Sequence, residues 1–264
     1  MLNNQDFTRE RAKYLGGSDL GAILGLSKYR TAVDVWLEKT GKHLSYQDSL
    51  PLRFGKFAEA FVAQEYANLT GHPLVHHEDA ITHPQHNYLQ GHIDRFIHPC
   101  DESLFDAQGK CLARALLECK TANPFAKQEW GDEGSDQVPL PYLIQCAWYL
   151  LLTQVPHCDV AVLFGNAELR VYQIPRDPEL EILLLDHAVR FWEDHVLKDI
   201  PPAAQSEADY QHMFAKGSQR TIEASPEIAK LTQELLHVQE HIEQQEQQVS
   251  QMKQRIMGVM EDAE

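Results

Sequence analysis

The sequence has few cysteines and no long apolar run, and both shortages exclude classes of protein. Its five cysteines include no C-x-x-C pair, which argues against a disulfide framework and against a zinc or iron–sulfur site with four thiolate ligands. We therefore expect reduced thiols. A membrane-spanning helix needs about 18 or more consecutive apolar residues, and the longest apolar stretch, at residues 146–152, is much shorter. The sequence predicts no membrane partner.

Basic charge is also scarce, with 23 Lys and Arg residues against 39 Asp and Glu residues and a net charge of -16. This balance argues against a nucleic-acid-binding protein that relies on a broad basic surface. Net charge governs non-specific affinity, however, and does not decide what a single cleft can hold. The first residues lack the basic and apolar segments of a signal peptide, so we expect a cytoplasmic protein.

Hydrophobic periodicity predicts an α/β fold. Apolar residues recur at three and four positions over residues 53–69, which predicts a long helix, and shorter helices are predicted at residues 31–40, 142–153 and 178–197. A further helix is predicted after the Gly16-Gly17 break, with Ser18 as its N-cap. Strands are predicted at residues 72–77, 88–98 and 113–121, and a hairpin at residues 159–164 and 169–174. This order predicts a mixed sheet flanked by helices.

A different pattern begins at Ser225-Pro226, a pair that is typical of a helix N-terminus. Beyond it, apolar residues alternate at three and four positions with one polar interruption. These positions are Ile228, Leu231, Leu235, Val238, Ile242, Gln245, Val249, Met252, Ile256 and Val259. Such a narrow stripe needs a partner helix. Residues 222–264 are therefore predicted to form a heptad-repeat helical arm, which follows a domain at residues 1–215.

A candidate metal site combines Asp94, in one predicted strand, with Glu118-Cys119-Lys120 in the next. Because side chains alternate along a strand, Glu118 and Lys120 share one face. If the strands pair, Asp94 lies beside Glu118, and two such carboxylates call for a cation. Oxygen ligands, including the Cys119 carbonyl, suit magnesium or manganese. E-x-K alone also fits a surface charge pair, but the apolar residues around it favour a buried strand, where unpaired charges are costly.

Several short motifs, in a fixed order, resemble those of the YqaJ-type viral recombinase family, relatives of lambda exonuclease within the PD-(D/E)xK nuclease superfamily. The motifs are Arg11 with Gly16-Gly17-Ser18-Asp19, Gly55 with Glu59, Gly91-His92-Ile93-Asp94, Glu118-Cys119-Lys120, Pro141-Tyr142 with Gln145 and Tyr149, and Phe191-Trp192 with Pro201-Pro202. The resemblance covers roughly residues 7–215. It implies a PD-(D/E)xK restriction-endonuclease-like core with a mixed central sheet, and an exonuclease domain at residues 1–215.

The resemblance also implies a set of metal ligands. Asp94, Glu118 and the backbone carbonyl of Cys119 would bind the metals, and Glu59 would support a metal or its water. Lys120 would position the attacking water. The implied cofactor is Mg²⁺ or Mn²⁺, with two ions in each active site.

Substrate contacts are implied in the same way. Gln145 would contact the water or the scissile phosphate, and Tyr149, one helical turn away, would share its face and contact the substrate. Plain amphipathicity explains that spacing equally well. Arg11 and Ser18 would grip a 5′-terminal phosphate, and an arginine near a Gly-Gly turn at a helix start is a credible phosphate pocket. The alternative for Arg11 is an ordinary surface arginine.

The leading functional hypothesis is a phage- or prophage-encoded DNA exonuclease. It would digest linear duplex DNA from a 5′ end and leave a 3′ overhang for recombination by strand annealing. Family relatives form ring-shaped trimers and work with a single-strand annealing protein. The resemblance therefore implies a homo-oligomer, a trimer by that analogy, and an annealing partner in a bacterial host cell.

Two other functions stay open at this point. The same site could act as an endonuclease or on branched DNA. The chain could also be a non-catalytic interaction protein on a nuclease fold, which its acidic charge favours and its intact Asp94, Glu118 and Lys120 oppose. Seven histidines between residues 72 and 98 suggest zinc, but their spacing fits no standard zinc pattern.

Overall fold

A five-stranded mixed sheet runs through the larger of two units, Met1–Ala215 and Lys216–Glu264. The computed structural model describes residues 10–42, 49–215 and 221–261. Along the chain the strands are β1 (Leu74–Val75), β2 (Ile81–Thr82), β3 (Gln90–Gly91), β4 (Arg95–Ile97), β5 (Ala115–Ala122), β6 (His157–Phe164) and β7 (Glu168–Pro175). The large sheet has the order β1-β4-β5-β6-β7, and β2 pairs with β3 separately. Only β5 and β6 are parallel, and the other neighbours are antiparallel.

The helices of the first unit flank this sheet. They are α1 (Gly17–Ile23), α2 (Ala32–Lys39), α3 (Leu50–Thr70), α4 (Leu140–Thr153), α5 (Pro178–Phe191) and α6 (Glu207–Met213), with a 3-10 helix at Pro124–Glu129. Parallel strands need a long crossover connection, and α4 lies in the connection between β5 and β6. The predicted mixed α/β core flanked by helices is confirmed.

Strand β5 is buried on both faces, which explains its continuous apolar run. Leu116 packs in the larger core cluster with α4, whereas Leu117 packs in a smaller cluster with Val62 and Tyr66 of α3. Burying one leucine in this way contributes about 1.5–3 kcal/mol. Packing against both core clusters holds β5 in place and therefore fixes the position of the polar residues that follow Leu117.

The single strand predicted at residues 88–98 is wrong. It divides into β3 and β4, which belong to different sheets, and Asp94 lies in the bend before β4. Gln90 explains the division, because its N–H donates to the Leu15 carbonyl and its carbonyl accepts from Trp148 Nε1 at 2.8 Å. These bonds hold β3 away from the large sheet.

Three features of the helices also differ from the prediction. The N-cap of α1 is Gly16 and not Ser18. Asp19, three residues into the helix, accepts a hydrogen bond from the Gly16 N–H at 3.0 Å and so fixes the start of the helix at Gly16. Helix α6 was not predicted, although Ser206 and Asp209 form a capping box at its start. The helix predicted at residues 178–197 ends at Phe191 and continues as a π-helical turn, Trp192–Val196.

The second unit consists of one long helix, α7 (Pro226–Met260), in its described part. Ser225 caps it by accepting from the Ile228 N–H, as the Ser-Pro pair predicts. Every described residue of α7 is exposed. In the described part of the chain, no helix combines the length and the apolar character that crossing a membrane requires.

Candidate active site

One cleft of about 490 Å³ in the first unit brings all nine predicted site residues together. They are Arg11, Ser18, Glu59, Asp94, Glu118, Cys119, Lys120, Gln145 and Tyr149. They come from the segment before α1, from α1 itself, from α3 and α4, from the bend before β4 and from the end of β5. Tyr142 and His92 also line the cleft. These residues are far apart in the sequence, and only the fold brings them into one cleft.

Asp94 reaches the end of β5 because β4 pairs antiparallel with β5, with Arg95 opposite Leu117. The Cys119 N–H donates to Asp94 Oδ2 at 2.8 Å. This bond fixes the Asp94 carboxylate beside the backbone of Cys119, in the position expected from paired strands. The Cys119 side chain is half-buried at the cleft, and its burial and the neighbouring carboxylates of Asp94 and Glu118 raise the pKa of its thiol.

Glu118 and Lys120 share one face of β5 and contact each other. Lys120 Nζ donates to Glu118 Oε1 at 2.5 Å and to Gln145 Oε1 at 3.0 Å. Gln145 Nε2 completes the triangle by donating to Glu118 Oε1 at 2.8 Å, and it also donates to the Tyr149 hydroxyl. The Lys120 ammonium lies 4.9 Å from the centre of the Tyr142 ring, a cation–π distance. The sequence showed no role for Tyr142 beyond its place in a motif.

The electrostatics of this group are unbalanced. Burial, together with the Glu118 charge, raises the pKa of Asp94, and burial likewise raises the pKa of Glu118 despite the nearby Lys120 ammonium. Burial would lower the pKa of Lys120, but Glu118 and Asp94 outweigh it and raise that pKa. Lys120 is therefore a firmly charged donor, and the two carboxylates share one neutralising partner.

Glu59 enters the cleft from α3 but already has a cationic partner. Arg95 Nη1 donates to Glu59 Oε1 at 2.8 Å, and the same nitrogen donates to the Asp94 carbonyl. The charge of Glu59 still raises the pKa values of Asp94 and Glu118. Glu59 therefore belongs electrostatically to the same group, although Arg95 holds its carboxylate.

A second ionic cluster surrounds Asp19, next to the cleft. The Asp19 side chain has no exposed surface, and Lys39 at 2.9 Å, Arg30 at 2.9 Å and Arg11 at 3.2 Å all contact it. Burial alone would raise the pKa of Asp19, but these three cations and the Gly16 N–H lower it strongly. Glu38 contacts the same cations.

This cluster holds Arg11 at the cleft. The Arg11 side chain is 27% exposed, so it is not an ordinary surface arginine, and its Nη2 also donates to Ser18 Oγ at 3.4 Å. Sequence reasoning assigned no role to Lys39, which reads as an ordinary basic residue in the last turn of α2. Only Asp19 had a detectable pattern, as the acid three residues after Gly16.

Gly17 allows α1 to approach α4 at the position of the site residues. A Cβ at Gly17 would lie 3.1 Å from Gln145 Cγ and 3.3 Å from Tyr149 Cε1. Both neighbours would have to shift to admit it. The side chains of Gln145 and Tyr149 thus pack closely against the backbone of Gly17, and a larger residue there would fit only if they moved by a few tenths of an ångström.

A divalent cation fits the carboxylate end of this cleft by one specific observation. Glu118 Oε2 is buried and has no hydrogen-bond partner within the part of the chain that the structure describes. A buried carboxylate oxygen without a partner is costly unless a cation or donor meets it. Among the described residues, no three His, Cys, Asp or Glu side chains already converge as a metal site. The carboxylates that could bind a cation are therefore present in the cleft, but they do not yet surround one common point.

Comparison with solved structures places the fold among nuclease-like α/β proteins. The alkaline exonuclease of Laribacter hongkongensis superimposes with a TM-score of 0.57 and 14% sequence identity, over 74% of this chain and 93% of that one. The structure of the same enzyme in complex with dAMP gives the same values. At this identity the likeness establishes the fold alone.

The sequence identifies the family. The model of the YqaJ-like viral recombinase domain matches residues 6–156, and the chain belongs to this family. The resemblance seen in the motifs is thereby confirmed. The protein YqaJ of Bacillus subtilis (strain 168), described as uncharacterized, is 29% identical over 271 residues, which cover 100% of this chain and 80% of that protein.

Proposed function

We propose that this protein is a divalent-metal-dependent DNA exonuclease that digests linear duplex DNA from a 5′ end and leaves a 3′ single-stranded overhang. The observation that supports it most is the carboxylate pair at β5, where Asp94 and Glu118 lie beside the ammonium of Lys120 and Glu118 Oε2 has no hydrogen-bond partner among the described residues. Membership of a viral recombinase family and the fold of an alkaline exonuclease agree with this activity. Recombination by strand annealing would use the 3′ overhang.

The proposed metal ligands are Asp94, Glu118 and the carbonyl of Cys119, with Glu59 in support. The unpartnered Glu118 Oε2 is the group that most needs a cation. Hard oxygen donors of this kind suit Mg²⁺ or Mn²⁺. When bound, such cations activate water and stabilise negative charge on the phosphate in the transition state, and two in each site is the number that the family resemblance implies.

Lys120 and Gln145 would act on the water and the phosphate. Lys120 donates hydrogen bonds to Glu118 and Gln145, and the neighbouring carboxylates raise its pKa, which favours its charged ammonium form. We assign it to orienting water and to stabilising charge on the phosphate oxygens. Gln145 holds that ammonium at 3.0 Å, and Tyr149 holds Gln145, so the three form one positioned group.

Arg11 would bind the 5′-terminal phosphate. The Asp19 cluster contains three cations against two carboxylates, Asp19 and Glu38, so this part of the cleft keeps a positive charge although the whole chain carries -16. Local charge of this kind lets an acidic protein hold a DNA end. Arg11 lines the cleft together with Ser18, on the same wall.

A digestion time course tests the proposal. Linear duplex DNA with 5′-phosphate or 5′-hydroxyl ends is incubated with Mg²⁺ or with a chelator, with either the 5′-terminal or the 3′-terminal nucleotides labelled. We expect digestion only with metal, release of the 5′-terminal label before the 3′-terminal label, and faster digestion of 5′-phosphorylated ends. A covalently closed circular duplex should resist.

Cleavage of the closed circle at the rate of the linear duplex would instead make the protein an endonuclease. Absence of cleavage on every substrate would favour an interaction protein. For polarity, Arg11→Gln should reduce the preference for 5′-phosphate by about 10-fold or more, because a charged hydrogen bond is lost. Arg190→Gln is the matched control, since Arg190 is exposed on α5 and pairs only with Asp186 among the described residues.

A further inference from the structure

Helix α7 presents an apolar stripe that nothing in the described part of its own unit covers. The heptad stripe comprises Ile228, Leu235, Ile242, Val249 and Ile256 at the a positions and Leu231, Val238, Gln245, Met252 and Val259 at the d positions. Its apolar members are all exposed, from 49% for Val249 to 85% for Val259. A helix gains most of its stability in proteins from packing such a face, so the stripe calls for a partner.

We propose that α7 associates with α7 of further copies of this chain, as a parallel coiled coil in register. Gln245, the polar position of the heptad stripe, decides the direction. In a parallel, in-register coil, each d residue meets the same d residue of its partner, so Gln245 faces Gln245. Their amides then donate to and accept from each other, because a glutamine amide has both functions.

An antiparallel arrangement places Gln245 differently. In an antiparallel pair, a positions meet d positions, so Gln245 faces an a residue, and every a residue of α7 is Ile, Leu or Val. The amide would then be buried without a partner, which costs stability. A partner of different sequence would have to supply its own polar residue at that one layer. A second copy supplies it automatically.

The flanking charges permit this pairing. In the parallel register, each g residue meets the e residue five positions later on the partner. These meetings bring together Glu227 with Thr232, Glu234 with Gln239, His241 with Glu246, Gln248 with Lys253, and Arg255 with Met260. No two like charges meet in the described helix, so self-association is not opposed.

Two adjacent leucines offer a matched test. Leu235 lies at an a position and Leu236 at the neighbouring b position, outside the heptad stripe, and both are 55% exposed. The molar mass of the full chain is measured by light scattering for the wild type, Leu235→Lys and Leu236→Lys. We expect a multiple of 30.2 kDa for the wild type and Leu236→Lys, and a smaller mass for Leu235→Lys. A monomeric wild type, or equal masses for all three proteins, overturns the proposal.

Cross-linking tests the direction independently of mass and of nuclease activity. The Ile228→Cys protein is oxidised, and the linked peptides are identified by mass spectrometry, with the wild type as the control for its own cysteines. In the parallel coil we expect a disulfide between the two introduced thiols, one from each copy. A mixture of Ile228→Cys and Val259→Cys proteins that yields mainly links between the two different variants contradicts the parallel register, because those links form only when the helices run in opposite directions.

Discussion

Two buried ionic clusters lie side by side in the first unit, and they differ in how their buried carboxylates are neutralised. Around Asp19, three cations surround one fully buried carboxylate, and its pKa is lowered. Around Glu118, one ammonium serves two carboxylates, and both carboxylate pKa values are raised. In the first cluster the cations outnumber the carboxylates, and Arg11 Nε lies 3.5 Å from Glu38 but has no hydrogen-bond partner in the described residues. The second has an excess of negative charge and a carboxylate oxygen, Glu118 Oε2, without a partner in the described residues.

The difference separates a structural role from a chemical one. A cluster in which cations outnumber carboxylates keeps its buried carboxylate charged and positions its members, here Asp19 and Arg11. A cluster with excess charge costs stability until something from outside binds it. Perturbed carboxylates in a cleft are typical of functional sites. We therefore propose that Asp19 holds Arg11 at the cleft and that Asp94 and Glu118 take part in the chemistry.

The largest expected effect is on catalysis, from Glu118→Gln. This change removes a proposed metal ligand but keeps the size of the side chain, so the rate of DNA digestion should fall by about 10³-fold or more. Glu168→Gln is the control, because Glu168 lies on β7 and pairs with Lys127 and Arg170. Equal digestion rates for Glu118→Gln and the wild type would remove Glu118 from the site.

The next effect is on stability, and it should have opposite signs in the two clusters. Asp19→Asn leaves three cations around a neutral side chain, so the free energy of unfolding should fall by about 3 kcal/mol. Asp94→Asn relieves the repulsion with Glu118, so the metal-free protein should be as stable as the wild type or more stable. Urea unfolding at pH 7 measures both. A larger loss for Asp94→Asn than for Asp19→Asn would reverse the assignment.

The free energy of unfolding of each variant, relative to the wild type, should change with pH in opposite directions. As pH rises, it should fall for Asp19→Asn and rise for Asp94→Asn. Since the pKa of Asp19 is lowered in the folded state, its contribution is present above the ordinary value of 3.8 and is lost as pH falls below it. The deficit of Asp19→Asn should therefore shrink in acid. The pKa of Asp94 is raised from 3.8, so the relative gain of Asp94→Asn should grow as pH rises above that value. Unfolding at several pH values, without metal, tests both trends.

The smallest effect concerns the backbone contact that positions Gln145. Gly17→Ala should lower the free energy of unfolding by about 1 kcal/mol through overpacking, and it should also slow digestion by displacing Gln145. Gly21→Ala, in the same helix, is the control, because its Cβ would meet Pro141 at an ordinary 3.6 Å. That variant should be neutral or more stable, since alanine favours a helix. Equal behaviour of the two variants would contradict this role of Gly17.

The cluster around Glu118 was predictable from the sequence, because it depends on side-chain alternation along one strand and on the pairing of neighbouring strands. Alternation along β5 places Glu118 and Lys120 on one face, and strand pairing brings Asp94 to them. The apolar run of β5 indicated burial on both faces. The heptad pattern likewise predicted the long helix α7, and α3 and α4 followed from their periodicity.

The Asp19 cluster was not predictable in the same way. Lys39 and Arg30 reach Asp19 only because α2 folds back against α1, and no periodicity records that contact. The division of residues 88–98 was missed for a similar reason, since Trp148 donates to the carbonyl of Gln90 and the Leu15 carbonyl accepts from its N–H. Tertiary contacts of single side chains decide both features, and sequence patterns describe only elements.

Binding of Mn²⁺ to the full chain tests the central claim most directly. Titration calorimetry, without DNA, compares the wild type with Asp94→Asn, Glu118→Gln and the control Glu168→Gln. We expect saturable binding by the wild type and the control, and its loss in both cleft variants. Absence of binding by the wild type, or undiminished binding by Glu118→Gln, would contradict the claim that the unbalanced cluster exists to hold a divalent cation.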